Sequence, residues 1–389
     1  MAYVIIGDLF SFPEGDSSTN RVHTYAKGLY ENNVNVHVIC FANEYTTLGD
    51  GLINGIYYYH PFGQRKRSEY FINRSWLKIL KYFKTLALIR KINKTDKIDA
   101  IIVYSLFLGT FLFAWFLTKV TNSKLIQESG EHPLRRHQNG TLNKQLGFIK
   151  LKIESGLCDG IFCISRFLID FYKNQGLPSH KLILVPSTVD PARFTQTGEK
   201  PFPYSYIGYF GGLTFKRDNI DLLIEAFAAI TDKYPSMHLV LGGFCSEKER
   251  VQIENLISDL KISGKVNLLK YLPRQEIIQY IIHSDILVMV RSNDLESQAS
   301  FPSKLTEYLV TSKPVITVNV GEISEYLTDG VNSFLVEPGN KNELAGKLDY
   351  VLTEYESALK IGGRGKQLTD TTFNYNYQAK RIVLFVKSL

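Results

Sequence analysis

A chain of 389 residues with 44% apolar and 21% charged residues exceeds the roughly 250–300 residues at which a single hydrophobic core stops growing, so two domains are expected. That composition excludes a disordered or collagen-like chain, and four scattered cysteines (Cys40, Cys158, Cys163, Cys245) exclude a disulfide framework. The net charge of +7 is local: ten basic residues and one acidic residue fall between Gln64 and Lys94, leaving −2 for the remainder.

The first run, Tyr3–Ile6, has neither a basic n-region nor a long apolar stretch, and reads as a strand rather than a signal peptide. With no secretory signal, and with cysteines suited to a reducing compartment, a cytoplasmic location is expected. The loop from Gly7 to Arg21 is long, polar and glycine-bearing, lacks the G-x-G-x-x-G fingerprint, and leads into a helix over Asn20–Glu31. A strand over Val34–Cys40 follows.

The basic segment has helical spacing over Arg74–Ala87, with Trp76, Ile79, Leu80, Phe83, Leu86 and Ala87 on one face and Arg74, Lys78, Lys81 and Lys84 on another. One reading buries the apolar stripe and solvates the lysines. The other takes residues 65–94 to an anionic membrane surface, where each basic side chain is worth about 1 kcal/mol. Nucleic acid is not an expected partner, because no nucleic-acid-binding module accompanies the patch. Ala100–Thr118 runs 19 residues without a charge, long enough to suggest a membrane span. Ser105 and Gly109 divide it into a buried strand, Ile101–Tyr104, and a core helix.

Strands are then expected at Lys124–Gln127, Gly160–Ile164 and Leu182–Val185. Gln127–Pro133 places charged residues at the end of an apolar strand, where Glu128, Glu131 or His132 can face a cleft. Residues 187–203, marked by Pro191, Gly198, Pro201 and Pro203, read as a linker. Alternation of strand and helix restarts at Tyr204–Phe210 and continues through Asn219–Ile230, His238–Leu241, Lys248–Leu260, Val266–Leu269, Arg274–His283, Ile286–Val290, Lys304–Thr311, Pro314–Val318 and Glu343–Leu359. The expected fold is α/β, with two Rossmann-like doubly wound domains facing an inter-domain cleft. Residues 1–186 form the first domain, 204–370 the second, and 371–389 a terminal helix returning to the first.

Two motifs in the second half suit a diphosphate. Gly211 and Gly212 let backbone amides face an anion, the next helix start adds favourable dipole, and Lys216 and Arg217 add full charge. The helix start at Ser303, Lys304 and Leu305 offers further amides, and Glu307 can accept from a ribose diol. No Asp-x-Asp or clustered ligand set points to a metal.

These motifs, with Pro13–Gly15, Asp159–Ser165, Val185–Asp190, Tyr271–Pro273, Phe301–Ile316 and Asp329–Pro338, make the chain similar to retaining glycosyltransferases of family 4, which have the GT-B fold. The resemblance implies a nucleoside-diphosphate sugar as donor substrate in the second domain, UDP-sugar ahead of GDP-sugar, with no cofactor. It implies a glycan or lipid-linked glycan acceptor in the first domain, beside Gly15, Asp16, Asn20 and Arg21, in cell-surface polysaccharide synthesis. Glu307 matches the second glutamate of the family's E-x7-E motif, while Ala299 stands at the first. Gly212 stands where an arginine often follows the first glycine, and Asp16 where a second glycine is common. The expected catalytic set is Glu131, His132 and Arg217, acting without metal, on the inner face of the plasma membrane. A nucleotide-sugar epimerase and a degenerate partner subunit are the alternatives.

Overall fold

A computed structural model describes residues 1–41, 49–61, 70–135, 140–195, 198–270 and 272–389, in two compact units. The first unit comprises Met1–Thr188 with Tyr375–Leu389. Its strands are β1 (Ala2–Gly7), β2 (Asn35–Cys40), β3 (Gly51–Ile53), β4 (Ile56–Tyr59), β5 (Ile98–Tyr104), β6 (Lys124–Ser129), β7 (Gly160–Cys163) and β8 (Leu182–Leu184). They lie in the order β3-β4-β2-β1-β5-β6-β7-β8. Every pairing is parallel except β3 with β4. Helices on both faces leave the central strands buried, which is why β1 and β5 read as continuous apolar runs.

The β3–β4 hairpin is absent from the sequence expectation, although its signal is present. Asn54 and Gly55 both take positive φ (50° and 78°) between Leu52-Ile53 and Ile56-Tyr57, the Asn-Gly turn that joins two-residue hairpins.

The second unit is Val189–Asn374. Its strands are β9 (Tyr206–Gly212), β10 (His238–Phe244), β11 (Val266–Leu268), β12 (Ile286–Met289), β13 (Val315–Val318) and β14 (Phe334–Val336), all parallel, in the order β11-β10-β9-β12-β13-β14. The expected helix over Glu343–Leu359 is two, Lys341–Thr353 and Tyr355–Asp370, broken at Glu354, and β14 is an added edge strand.

Residues 189–203 are not a free linker. They belong to the second unit, where Val189 bridges to Asn374 and its N–H donates to the Phe373 carbonyl. The chain leaves that unit at Asn374, and the helix Tyr375–Ser388 lies against the helix Ser17–Glu31. Gly28 makes the approach possible, since a Cβ there would stand 2.7 Å from the Ala379 Cβ.

The basic helix spans Phe71–Thr95, but the face it buries is not the expected one. Lys81, Thr85, Ile89 and Ile92 point inward, while Trp76 (60% exposed), Ile79 and Phe83 (66%) stand in solvent beside Lys78 and Lys84. Lys81, 7% exposed, holds its ammonium 4.2 Å from the Phe41 ring centroid. Residues 65–69 and the side chain of Arg74 lie outside the described residues. The uncharged stretch is β5 followed by the helix Leu108–Thr121, and among the described residues no helix is long and apolar enough to cross a membrane.

Candidate functional site

In the second unit the strand order reverses between β9 and β12, and open parallel sheets bind ligands beyond the carboxyl ends of strands at such a point. β9 ends in Gly211 and Gly212. The one-turn helix Phe215–Asp218 follows, started by the Thr214 hydroxyl, which accepts from the N–H groups of Arg217 (3.3 Å) and Asp218 (3.2 Å). The Arg217 carbonyl accepts from Ser292 N–H at 2.8 Å, tying this turn to the segment after β12.

The helix Ser303–Leu309 is fixed to the same strand end by one buried side chain. The Tyr308 hydroxyl accepts from Phe210 N–H (2.7 Å) and donates to the Phe210 carbonyl (3.1 Å). Burial raises the Tyr308 phenol above its ordinary range, so it keeps the proton it donates. One turn earlier, Lys304 Nζ donates to Tyr209 Oη at 2.8 Å and stands 3.6 Å from Asp218 Oδ1. A Cβ on Gly211 would lie 2.2 Å from that ammonium, and one on Gly212 would lie 2.6 Å from Asp218 Oδ2. A side chain at either position would therefore displace the Lys304–Asp218 pair from over the turn. Burial lowers Lys304 to about 8; Asp218 opposes that shift, and Arg291 and Arg217 add to it.

The structure thus brings Gly211, Gly212, Lys304 and Arg217 together. Lys216 and Arg217 are exposed, and the half-buried Glu307 faces Arg193, whose Nη1 is 3.8 Å from Oε1. Ser303 is half-buried at the helix start. Leu305 does not fit its expected role, because its side chain is fully buried and its N–H already donates to the Pro302 carbonyl at 3.2 Å. Sequence reasoning missed Arg291, Asp218, Tyr209 and Arg193. Arg291 had a legible signal, a cation at the end of an apolar strand.

In the first unit the order reverses between β1 and β5. A pocket beyond the strand ends is lined by Leu9, Tyr104, Ser105, Glu128, Glu131 and Lys150. Glu131 reaches this pocket while pairing with Arg135 (2.6 Å). His132 is instead a packing residue: it is buried, its ring centroid is 4.8 Å from that of Phe171, and its Nδ1 accepts from Leu134 N–H.

The acceptor-side set divides likewise. Gly15 and Asp16 are exposed, and the Asp16 carboxylate starts the helix Ser17–Glu31 by accepting from Ser18 and Thr19 N–H groups. Asn20 and Arg21 are buried, contrary to an acceptor-facing role. Arg21 binds Glu128 Oε1 (2.8 Å) and the carbonyls of Val185 and Pro186, while Tyr25 Oη donates to Glu128 Oε2 at 2.9 Å. Burial raises the Glu128 carboxyl, and Arg21 and Tyr25 draw it back. Among the described residues no group of three His, Cys, Asp or Glu side chains is placed to hold a metal ion.

Residues 198–368 match the family described as "Glycosyl transferases group 1". A D-inositol 3-phosphate glycosyltransferase of Corynebacterium urealyticum is 25% identical over 233 residues, covering 55% of this chain and 53% of its own length. The chain spans about half the length of the curated relatives it matches. The structure resembles sucrose-phosphate synthase from Thermosynechococcus elongatus (TM-score 0.73, 14% identity, 100% and 98% of the two chains). It also resembles Anabaena HepE in complex with UDP (TM-score 0.70, 16% identity, 100% of both chains). The fold is that of the GT-B glycosyltransferases.

Proposed function

We propose that this chain is a retaining glycosyltransferase of family 4. It moves a sugar from a nucleoside diphosphate, UDP ahead of GDP, to a glycan or lipid-linked glycan in cell-surface polysaccharide synthesis. The observation that carries this is the cation-lined glycine turn at the β9/β12 reversal, inside the region that matches the glycosyltransferase family. Anabaena HepE, solved with UDP and with UDP-glucose, supports the choice of nucleotide.

When the glycosidic bond to the donor breaks, negative charge gathers on the β-phosphate. Cations and amides aimed there lower the barrier more than contacts made equally in the ground state. In this reading Arg217, Lys216 and the Gly211–Gly212 backbone carry that charge without a metal, and Glu307 accepts from the ribose. Glu131 orients the acceptor at the first unit's pocket, and the buried His132 holds the turn that presents it.

The exposed Trp76, Ile79 and Phe83, interleaved with Lys78 and Lys84, support a membrane-borne acceptor and a peripheral position on the cytoplasmic face of the plasma membrane.

A thermal-shift panel of UDP-, GDP- and ADP-sugars tests the donor, since a ligand that binds only the folded state raises the melting temperature. A UDP-sugar is expected to give the largest shift, and turnover is expected only when an acceptor is added. An isomerised sugar from donor alone would make this an epimerase. Donor binding without turnover across an acceptor panel would make it a degenerate partner subunit.

A further inference from the structure

Resting on that donor reading, we infer that Arg291 is a further diphosphate-binding residue, held in the interior for the ligand's charge and not for the stability of the fold. Arg291 lies two residues past the end of β12, on the strand that borders β9 at the reversal point. It is 6% exposed. Its Nε donates to Ser297 Oγ and its Nη2 to Ser300 Oγ, both at 3.1 Å. A guanidinium has five N–H donors, and these two go to neutral hydroxyls. Among the described residues no carboxylate forms an ion pair with it; Asp218 and Asp294 act on it only from further off.

Its charged surroundings mix both signs, with cations on the side of the glycine turn. Arg217 repels it from the glycine turn, and Arg291 in turn helps to depress Lys304. Burial, with Arg217, brings Arg291 down to about 10. Arg217, Arg291 and Lys304 thus stand at the ends of β9 and β12, where Asp218 is paired with Lys304 and Asp294 acts on Arg291 from further off. A buried cation without a paired anion costs stability, and an interior that served only packing would place an apolar side chain there. A diphosphate supplies the missing negative charge, and the planar guanidinium fork matches phosphate oxygens two at a time.

The test is calorimetric titration of inorganic pyrophosphate and of UDP into the wild type, Arg291→Met and Arg291→Lys, with the melting temperature of each free protein. Arg291→Met is expected to weaken both ligands at least tenfold while melting no lower than the wild type. Arg291→Lys, which keeps the charge and loses the fork, is expected to fall between. If Arg291→Met unfolds or melts lower, Arg291 serves the fold and the inference is overturned. Equal affinity in wild type and Arg291→Met also overturns it, and leaves the donor reading intact. A wild type that binds pyrophosphate but not UDP removes the UDP assignment alone, whereas one that binds neither removes the whole donor site.

Discussion

Lys304 shows how far a single position can be read without its neighbours. Its place at a helix start suggested a backbone amide for phosphate, yet its ammonium is what reaches over Gly211 to Tyr209 and Asp218. A Cβ at 211 would meet that ammonium and one at 212 the Asp218 carboxylate, so the cation over the turn comes from another element and not from position 212, where the resemblance expects an arginine. A pH dependence follows. The groups facing Lys304 are Asp218, Arg217, Arg291 and Tyr209; burial, opposed by Asp218 and aided by Arg291 and Arg217, sets its pKa at about 8 in the free protein. A bound diphosphate raises that pKa, so binding takes up a proton, and affinity falls as pH rises through the free-protein value. UDP affinity is expected to drop about tenfold between pH 7 and pH 9 by this linkage. In Lys304→Met titrations the drop should be absent; a persistent slope there would assign it to another group.

At the scale of elements, the helix Phe71–Thr95 separates what periodicity can decide from what it cannot. A 3.6-residue period shows that stripes exist, and the partners of the helix select which one is covered. Here the covered row is Lys81–Ile92, with Lys81 over the ring of Phe41, so a lysine is buried and a tryptophan is exposed. Vesicles containing phosphatidylglycerol should therefore lose the protein on flotation when Lys78 and Lys84 become glutamine, at about 1 kcal/mol per charge. Trp76→Ser with Phe83→Ser should weaken flotation further, and Lys81→Gln should leave it unchanged. Undiminished flotation of all these variants would end the membrane assignment. The hairpin at Asn54-Gly55 is the reverse case, because its turn chemistry is local and was legible.

On the scale of the whole chain, the first unit is closed by residues 375–389, which enter only after the second unit is complete. Ala379, Ile382 and Val386 are buried among the apolar residues of the first sheet and of the helix Ser17–Glu31. Ile382→Ala should cost about 2–5 kcal/mol by loss of transfer energy and the cavity left behind. The melting transition of the first unit should fall accordingly, while UDP affinity in the second unit stays within twofold of wild type. Loss of nucleotide binding at temperatures where the variant is folded would contradict that independence. Residues 189–203 are a further case: proline and glycine report backbone preference, and cannot say which unit a segment joins.

The amino-acid sequence alone determined the α/β class, the two sheets and most strand positions, because strands covered on both faces must be continuously apolar and the helices between them must alternate. It also determined the glycine turn, a strand, two glycines and a helix start that are neighbours in the chain. Tertiary structure alone decided that Arg291 and Lys304 share one space, that Arg21 and His132 belong to the core, and that Trp76 faces water. Each of these rests on a contact between distant residues, and such contacts exist only once the strand order is fixed.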